Sequence, residues 1–449
     1  FKFTSRYARL KIDDDGVKKP FYARKISLED KFKILTEALN DYNQNAKFFD
    51  DLLNDITVTV YPKKFSQKNA LNTIISNKRI KKEYLLDKVT AFINAPIELH
   101  IISVLWTIND GVKKDADLVD ECLGNRLLLN KDKTNVVFGS ALFKPYFSQY
   151  QKWRDDAVTT AQQLLSNNKN TLFLNLDIKD YYYSARIPEN YFRYYSNRRE
   201  IPDNLNLIME KIHRVFTEKV LQLKIPFDFT NEVTENGIIN TFIIPIGLQS
   251  SLVIANEYLK DFDKIILDKY KPAYYGRYVD DILIVLSEPN TTDDESAIFD
   301  EYYTSFKDYK EKAHNKNVNF NLDDLTEIEI YILKNFYPLI KVVDSPFTTD
   351  RNFSKPENRI FKINGYSSLY CQSDKTLIYY FDKNESSIVI DKLKKEIEEK
   401  SSEFRDMPND EDNLIEFEES AYHLSYDGTE DKIRTLKDYK EDRFGLSVY

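Results

Sequence analysis

Three carboxylates stand where a chain gains little from charge unless it uses them. Asp177 ends the apolar run TLFLNLD (Thr171–Asp177), and Asp280-Asp281 lie inside YYGRYVDDILIV (Tyr274–Val285), between two runs of β-branched and aromatic residues. Hairpins usually turn on Asn-Gly or Asp-Gly, whose residues accept positive φ; Val279-Asp280-Asp281 contains no glycine. If the run ending in Asp177 and this hairpin pair in one antiparallel sheet, the three carboxylates converge, and their mutual repulsion requires compensation. Divalent cations supply it, because Mg²⁺ takes hard oxygen ligands and keeps positions open for substrate phosphates. Two such ions, about 3.5–4 Å apart, suit an in-line phosphoryl displacement. The plain alternative is a surface turn and a helix cap. Strand formers on both sides of the Asp pair, and a buried run ahead of Asp177, favour chemistry.

The elements that must position these residues are partly legible. Residues 27–60 and 78–108 carry apolar positions at helical spacing, and Pro145–Asn168 reads as a helix opened by proline and closed by asparagine. Thr171–Asp177 is a short continuous apolar run, as expected of a strand covered on both faces. Leu205–Lys224 is helical, IGLQSSLVIANEYLKDFDKIILDKY is a long helix opened by a glycine and a serine pair, and strand, turn and strand follow. Beyond Ser287 we expect an amphipathic helix to about Asn315, short strands at 327–333 and 359–363, and a charged helix in SSIVIDKLKKEIEEKSSEFRDM.

At 449 residues the chain is long enough for two or three domains, and 42% hydrophobic with 14% aromatic residues allows large cores. It opens on Phe1, so we expect a portion of something longer. Cys122 and Cys371 are too few for a disulfide framework, and no signal pattern or membrane-length apolar run is present. The expectation is a cytoplasmic, bacterial protein with no membrane partner. His100, His213, His314 and His423 lie far apart without metal-ligand spacing. From Phe381 onward 20 Asp/Glu face 11 Lys/Arg, a net of −9 that equals that of the whole chain, so residues 1–380 balance near zero. Firm binding of duplex nucleic acid usually carries a basic excess.

With these residues in view, the chain resembles the reverse transcriptase family. FLNLDIKDYYYSAR is similar to the family's motif A, IPIGLQSSLVIANEYLKDFD to motif B and YVDD to motif C, in the family's order. The resemblance implies catalysis and metal ligation by Asp177, Asp280 and Asp281, with the Ile178 carbonyl as a further ligand. The implied cofactor is two Mg²⁺ ions, for which Mn²⁺ can substitute. Tyr182 falls on the steric-gate position, where an aromatic ring would exclude a 2′-hydroxyl; the alternative is ordinary core packing. Motif B of templated members usually reads Pro-Gln-Gly, and here it is Pro245-Ile246-Gly247. Ile246 cannot hydrogen-bond an incoming nucleotide, and Gly247 would permit close backbone approach to the nascent pair or simply open a helix.

Upstream, ECLGNRLLLN and LFKPYFSQYQKWRDDAV resemble the fingers of abortive-infection (Abi-type) phage-defence reverse transcriptases, as does QSDKTLIYYFDKNES downstream. On that basis Arg126 and Lys144 are candidates for triphosphate contact. The alternatives are a fingers salt bridge for Arg126 and snorkelling for Lys144. FKINGYSSLY (Phe361–Tyr370) reads equally as a primer-grip turn or a plain hairpin. No thumb with a basic face is recognisable.

The expected fold is therefore α+β: a right-hand polymerase with an antiparallel palm sheet and a mostly helical thumb-like C-terminal region. The expected divisions are an N-terminal helical extension at 1–60, mostly helical fingers at 61–170, palm at 171–345, and thumb-like and acidic helices at 346–449. The expected activity is phage-defence DNA synthesis from dNTPs by two-metal phosphoryl transfer, protein-primed and template-independent, within a homo-oligomer. Its single-stranded DNA product would hang from a tyrosine. An RNA-templated, retron-like reverse transcriptase and a catalytically silent RNA- or protein-binding scaffold are the alternatives.

Overall fold

The computed structural model describes residues 10–12, 18–20, 28–67, 84–192, 204–223, 234–235, 238–290, 325–347, 355–371 and 376–384. The fold mixes helices with antiparallel sheets. Two short paired strands, β1 (Leu10–Ile12) and β2 (Lys18–Pro20), precede helices α1 (Leu28–Asn40) and α2 (Tyr42–Asn54), so the N-terminal stretch is not helical throughout.

A long hairpin follows, made of β3 (Thr57–Gln67) and β4 (Tyr84–Asn94), with Val58 opposite Ile93 and Val60 opposite Ala91. Tyr84–Asn94 was expected as helix; it is a strand. Leu85, Val89 and Phe92 recur at helical spacing, but the β-branched run Thr57–Val60 offers a partner that pairs the segment's backbone. The expected fingers region is therefore not mostly helical at its start. Helix α3 (Ile97–Trp106) is buried nearly all round, continues through a π-turn (Thr107–Gly111) into α4 (Val112–Ala116), and forms part of the core.

Helix α5 (Tyr146–Ser166) follows Pro145 and ends at Asn167, as the sequence predicts. Strand β5 (Thr171–Asp177) is buried along six of its seven residues. The short helix α6 (Tyr181–Ser184), strand β6 (Ile187–Pro188) and helix α7 (Asn204–Gln222) come next, then β7 (Thr234–Glu235), β8 (Ile238–Ile239) and β9 (Thr241–Phe242). Helix α8 (Gln249–Tyr258) runs into α9 (Lys260–Ile265) and a second π-turn, and Lys271, with φ of +45°, ends it. The hairpin β10 (Tyr274–Tyr278) and β11 (Asp281–Ser287) is present as read.

Residues 327–333, expected as a strand, lie in helix α10 (Glu327–Phe336). The Thr326 hydroxyl accepts from Glu329 N–H while the Glu329 carboxylate accepts from Thr326 N–H, a capping box that settles the helix start. Glu329 also forms a buried, bidentate pair with Arg359, at 2.7 and 2.8 Å. Strands β12 (Ile340–Asp344), β13 (Arg359–Ile363) and β14 (Tyr370–Cys371) form a three-stranded antiparallel sheet.

The main sheet is antiparallel with order β10-β11-β5-β15, its last strand being Leu377–Phe381. That strand lies past the boundary expected at 345, and the described part of the expected mostly helical C-terminal region holds β13, β14 and β15 with one 3-10 turn at Pro356–Asn358. The helices expected near Asn315 and in residues 385–449 lie outside the described residues.

Strand β10 shows why this sheet is buried on both sides. Tyr274, Gly276 and Tyr278 face α5: Tyr274 and Tyr278 hydroxyls donate to the Trp153 and Tyr146 carbonyls, and Trp153 Nε1 donates to the Gly276 carbonyl. Tyr275 and Arg277, of opposite parity, both donate to Asp263 on α9. The period of two thus sandwiches the strand between α5 and α8–α9.

Candidate active site

Tyr278 and Asp281 close the β10–β11 hairpin, leaving Val279 and Asp280 as its two-residue loop. Val279 has φ of +60°, although it is β-branched. Such a residue costs on the order of 1–3 kcal/mol and persists only where its surroundings hold it. Three contacts hold this one. Arg277 Nη1 donates to the Val279 carbonyl at 2.9 Å, and Ile178 N–H donates to the Asp280 carbonyl at 3.3 Å. Gly124 packs so closely that a Cβ there would lie 2.8 Å from Val279 N and 3.0 Å from Tyr278 Cα.

In the β5–β11 register Asp281 lies directly opposite Asp177, so the two carboxylates leave the same face of the sheet. Asp280 is in the adjoining loop, and all three keep partial exposure. Ile178, fully buried, bridges to Cys371. Burial, with Asp177 alongside, pushes the Cys371 thiol well above its usual range. Among the described residues no three His, Cys, Asp or Glu side chains gather into a metal-holding group; the register assembles a pair of hard oxygen donors, with a third beside it.

The three tyrosines after motif A separate by role. Tyr181 is buried, and its hydroxyl donates to the Ala255 carbonyl on α8. Tyr183 is buried and its hydroxyl binds the backbone of β4 twice, accepting from Ala91 N–H at 2.7 Å and donating to Ala91 O at 3.1 Å. Tyr182 is only partly buried, with its ring edge-on to Tyr181. Plain core packing thus describes its two neighbours better than it describes Tyr182.

Pro245-Ile246-Gly247 meets the β3–β4 hairpin. The Ile246 carbonyl accepts from Ile93 N–H at 2.9 Å, and Gly247, with φ of +115°, has Ile93 as its nearest neighbour, 3.3 Å from an added Cβ. The backbone approach that Gly247 permits in this structure is to Ile93. Ser103 on α3 accepts from Ser250 N–H, tying the start of α8 to the core.

Arg126 and Lys144 lie side by side, joined through their backbones. Arg126 is 5% exposed; Nε donates to Asp115 Oδ1, Nη1 to the Val119 and Cys122 carbonyls, and Nη2 to the Asp115 carbonyl. The side chain makes a buried salt bridge to Asp115. Lys144 N–H donates to the Arg126 carbonyl, and burial followed by the Arg126 charge lowers the Lys144 pKa. Phe361–Tyr370 packs beside Asp177, where Lys179 N–H donates to the Tyr370 carbonyl and Tyr366 to the Tyr258 carbonyl.

The residues that sequence reading passed over are Asn256, Asp263 and Arg277. Arg277 and Asp263 form an ion pair with both side chains fully buried. The signal was an arginine inside the strand pattern YYGRY, because a buried guanidinium requires a buried partner. No curated protein matches the chain. Over residues 123–323, which contain all three aspartates and the helix between them, the chain matches the family model described as reverse transcriptase (RNA-dependent DNA polymerase), which implies a nucleic-acid polymerase.

Proposed function

We propose that the chain is a DNA polymerase with a right-hand fold. In this reading the β10-β11-β5-β15 sheet is its palm, the β3–β4 hairpin belongs to its fingers, and deoxynucleotides are joined by two-metal phosphoryl transfer. The observation that carries this reading is the register pair Asp177–Asp281 beside the held turn at Val279-Asp280. Asp177, Asp280 and Asp281, with the Ile178 carbonyl, would hold Mg²⁺ or Mn²⁺, whose chemistry is to neutralise charge on the attacking oxygen and the pyrophosphate. A primer hydroxyl gives its proton to solvent as its oxygen bonds the α-phosphorus, the bond to the α–β bridging oxygen breaks, and pyrophosphate leaves. The chain itself supplies position: Tyr182 beneath the sugar, and the Pro245–Gly247 turn anchored on Ile93. Arg126 serves the fingers ion pair in this reading, and Lys144 remains the candidate for triphosphate contact.

The finer reading is phage-defence synthesis, protein-primed and template-independent, in a homo-oligomer in the bacterial cytoplasm. It rests on the Gly124-Asn125-Arg126 resemblance, on the near-zero charge of residues 1–380 and on Ile246 in place of glutamine. Among the described residues no helix is long and apolar enough to cross a membrane. The RNA-templated alternative is favoured by one observation, the family description itself, which names RNA-dependent synthesis.

The test incubates the purified chain with single dNTPs and Mg²⁺, with and without prior nuclease removal of RNA, and weighs the protein by mass spectrometry. Product that survives RNA removal and a nucleotide-modified tyrosine support the finer reading. Product that vanishes with RNA selects the templated one. Asp280→Asn that abolishes dNTP incorporation yet leaves phage protection intact would overturn both and leave the scaffold.

A further inference from the structure

Arg277 uses every donor it has. Nε and Nη2 donate to the two carboxylate oxygens of Asp263 at 2.7 and 2.6 Å. Nη2 also donates to the Asn256 carbonyl at 3.0 Å, and Nη1 donates to Asn256 Oδ1 at 3.2 Å and to the Val279 carbonyl at 2.9 Å. Five N–H groups meet five acceptors, the full capacity of a guanidinium. Four of those acceptors belong to α8 and α9; the fifth is the strained residue that precedes Asp280. Asn256 extends the network, donating from Nδ2 to the Gly124 carbonyl at 2.7 Å, and Gly124 is the residue packed against the other side of the turn. The backbone repeats the connection, since Arg277 N–H donates to the Glu121 carbonyl and its carbonyl accepts from Leu123 N–H.

We infer that Arg277 is a positioning residue: with Asn256 and Asp263 it clamps the Val279 carbonyl and so sets the direction in which Asp280 and Asp281 leave the turn. The inference rests on the polymerase reading for its consequence and on geometry for its cause. Asp263 takes two of the five N–H groups, and the three that remain are directed at Asn256 and at the Val279 carbonyl. A valine with positive φ would relax to an easier conformation if the carbonyl were released, and the aspartate beside it would swing with it. Lysine keeps the charge but cannot span Asp263 and Val279 together, because it lacks the planar fork.

The test compares wild type, Arg277→Lys and Arg277→Lys/Val279→Gly in the full chain. Glycine tolerates the turn conformation without a clamp. Hydrogen exchange over Tyr278–Ile282 reads the turn, and dNTP incorporation against Mg²⁺ concentration reads its consequence. Arg277→Lys should lose protection in the turn and lose kcat by about tenfold to hundredfold, the scale of a small misplacement. The KM for dNTP should change little, more Mg²⁺ should be needed, and the double variant should recover much of the loss. Should Arg277→Lys fail to fold, Arg277→Gln/Asp263→Asn leaves no unpaired charge and carries the same expectations. Unchanged protection in a folded variant, or a loss that Val279→Gly does not relieve, overturns the inference. If wild type makes no product but the exchange pattern holds, the polymerase reading fails and the clamp stands.

Discussion

Asp281 and Asp177 face each other across adjacent antiparallel strands, a register in which like charges directly opposed are destabilising. Removing one should therefore relieve the fold while ending its chemistry. Asp177→Ala is expected to abolish nucleotide addition and to gain up to about 1 kcal/mol of stability without metal. Mg²⁺ should raise the melting temperature of wild type and not that of the variant. An Asp177→Ala protein that polymerises at the wild-type rate would show that the pair does something else.

Tyr182 and Tyr183, adjacent in sequence, should respond in opposite ways. Tyr183→Phe leaves Ala91 N–H and C=O unpartnered and should cost about 1–3 kcal/mol, read by denaturant unfolding. Tyr182→Ala should cost less stability and instead raise incorporation of ribonucleotides relative to deoxynucleotides. Equal discrimination before and after that change would remove Tyr182 from the gate.

Arg126 offers a direct choice between two roles. Its partner Asp115 is 1% exposed, so Arg126→Ala strands a buried charge and should destabilise by about 3–5 kcal/mol. Arg126→Met/Asp115→Leu should recover most of that, with KM for dNTP unchanged. A large rise in KM from a variant of normal stability would return Arg126 to the triphosphate.

Acid should loosen the fold through two buried histidines. Burial lowers both His100 and His213 to about 4. Their folded values lie below the unfolded one of 6.5, so between pH 6.5 and 4 the unfolded chain binds more protons and stability falls as pH falls. Each contributes up to about 3 kcal/mol to that loss, fully present only near pH 4. Melting at pH 7, 6 and 5 checks the slope, and His213→Gln should flatten it by about half. A slope unaltered by that change would place the acid sensitivity elsewhere.

Local pattern carried much of this molecule. The continuous apolar run into Asp177, the strand formers around Asp280-Asp281, and proline and asparagine at the ends of α5 each act through neighbours a few residues away. The carboxylates and their order were therefore readable as sequence. A local pattern misled where two periods fitted one segment. EIEI alternates like a strand, yet the Thr326–Glu329 capping box and the buried pair with Arg359 make it helix. The capping box was present to be read; Arg359, thirty residues on, was not.

Sequence by itself thus determined which residues could do chemistry and the elements that end in them. Tertiary structure decided what those elements lean on: β4 as a strand, β15 as the fourth member of the sheet, and Arg126 turned to Asp115. It also decided that the turn opposite Asp177 is held by Arg277 from Asp263 and Asn256. The physical reason is common to all four. Strand pairing and buried charge are satisfied only by a partner, and a partner distant along the chain leaves no mark on the periodicity of the segment it completes.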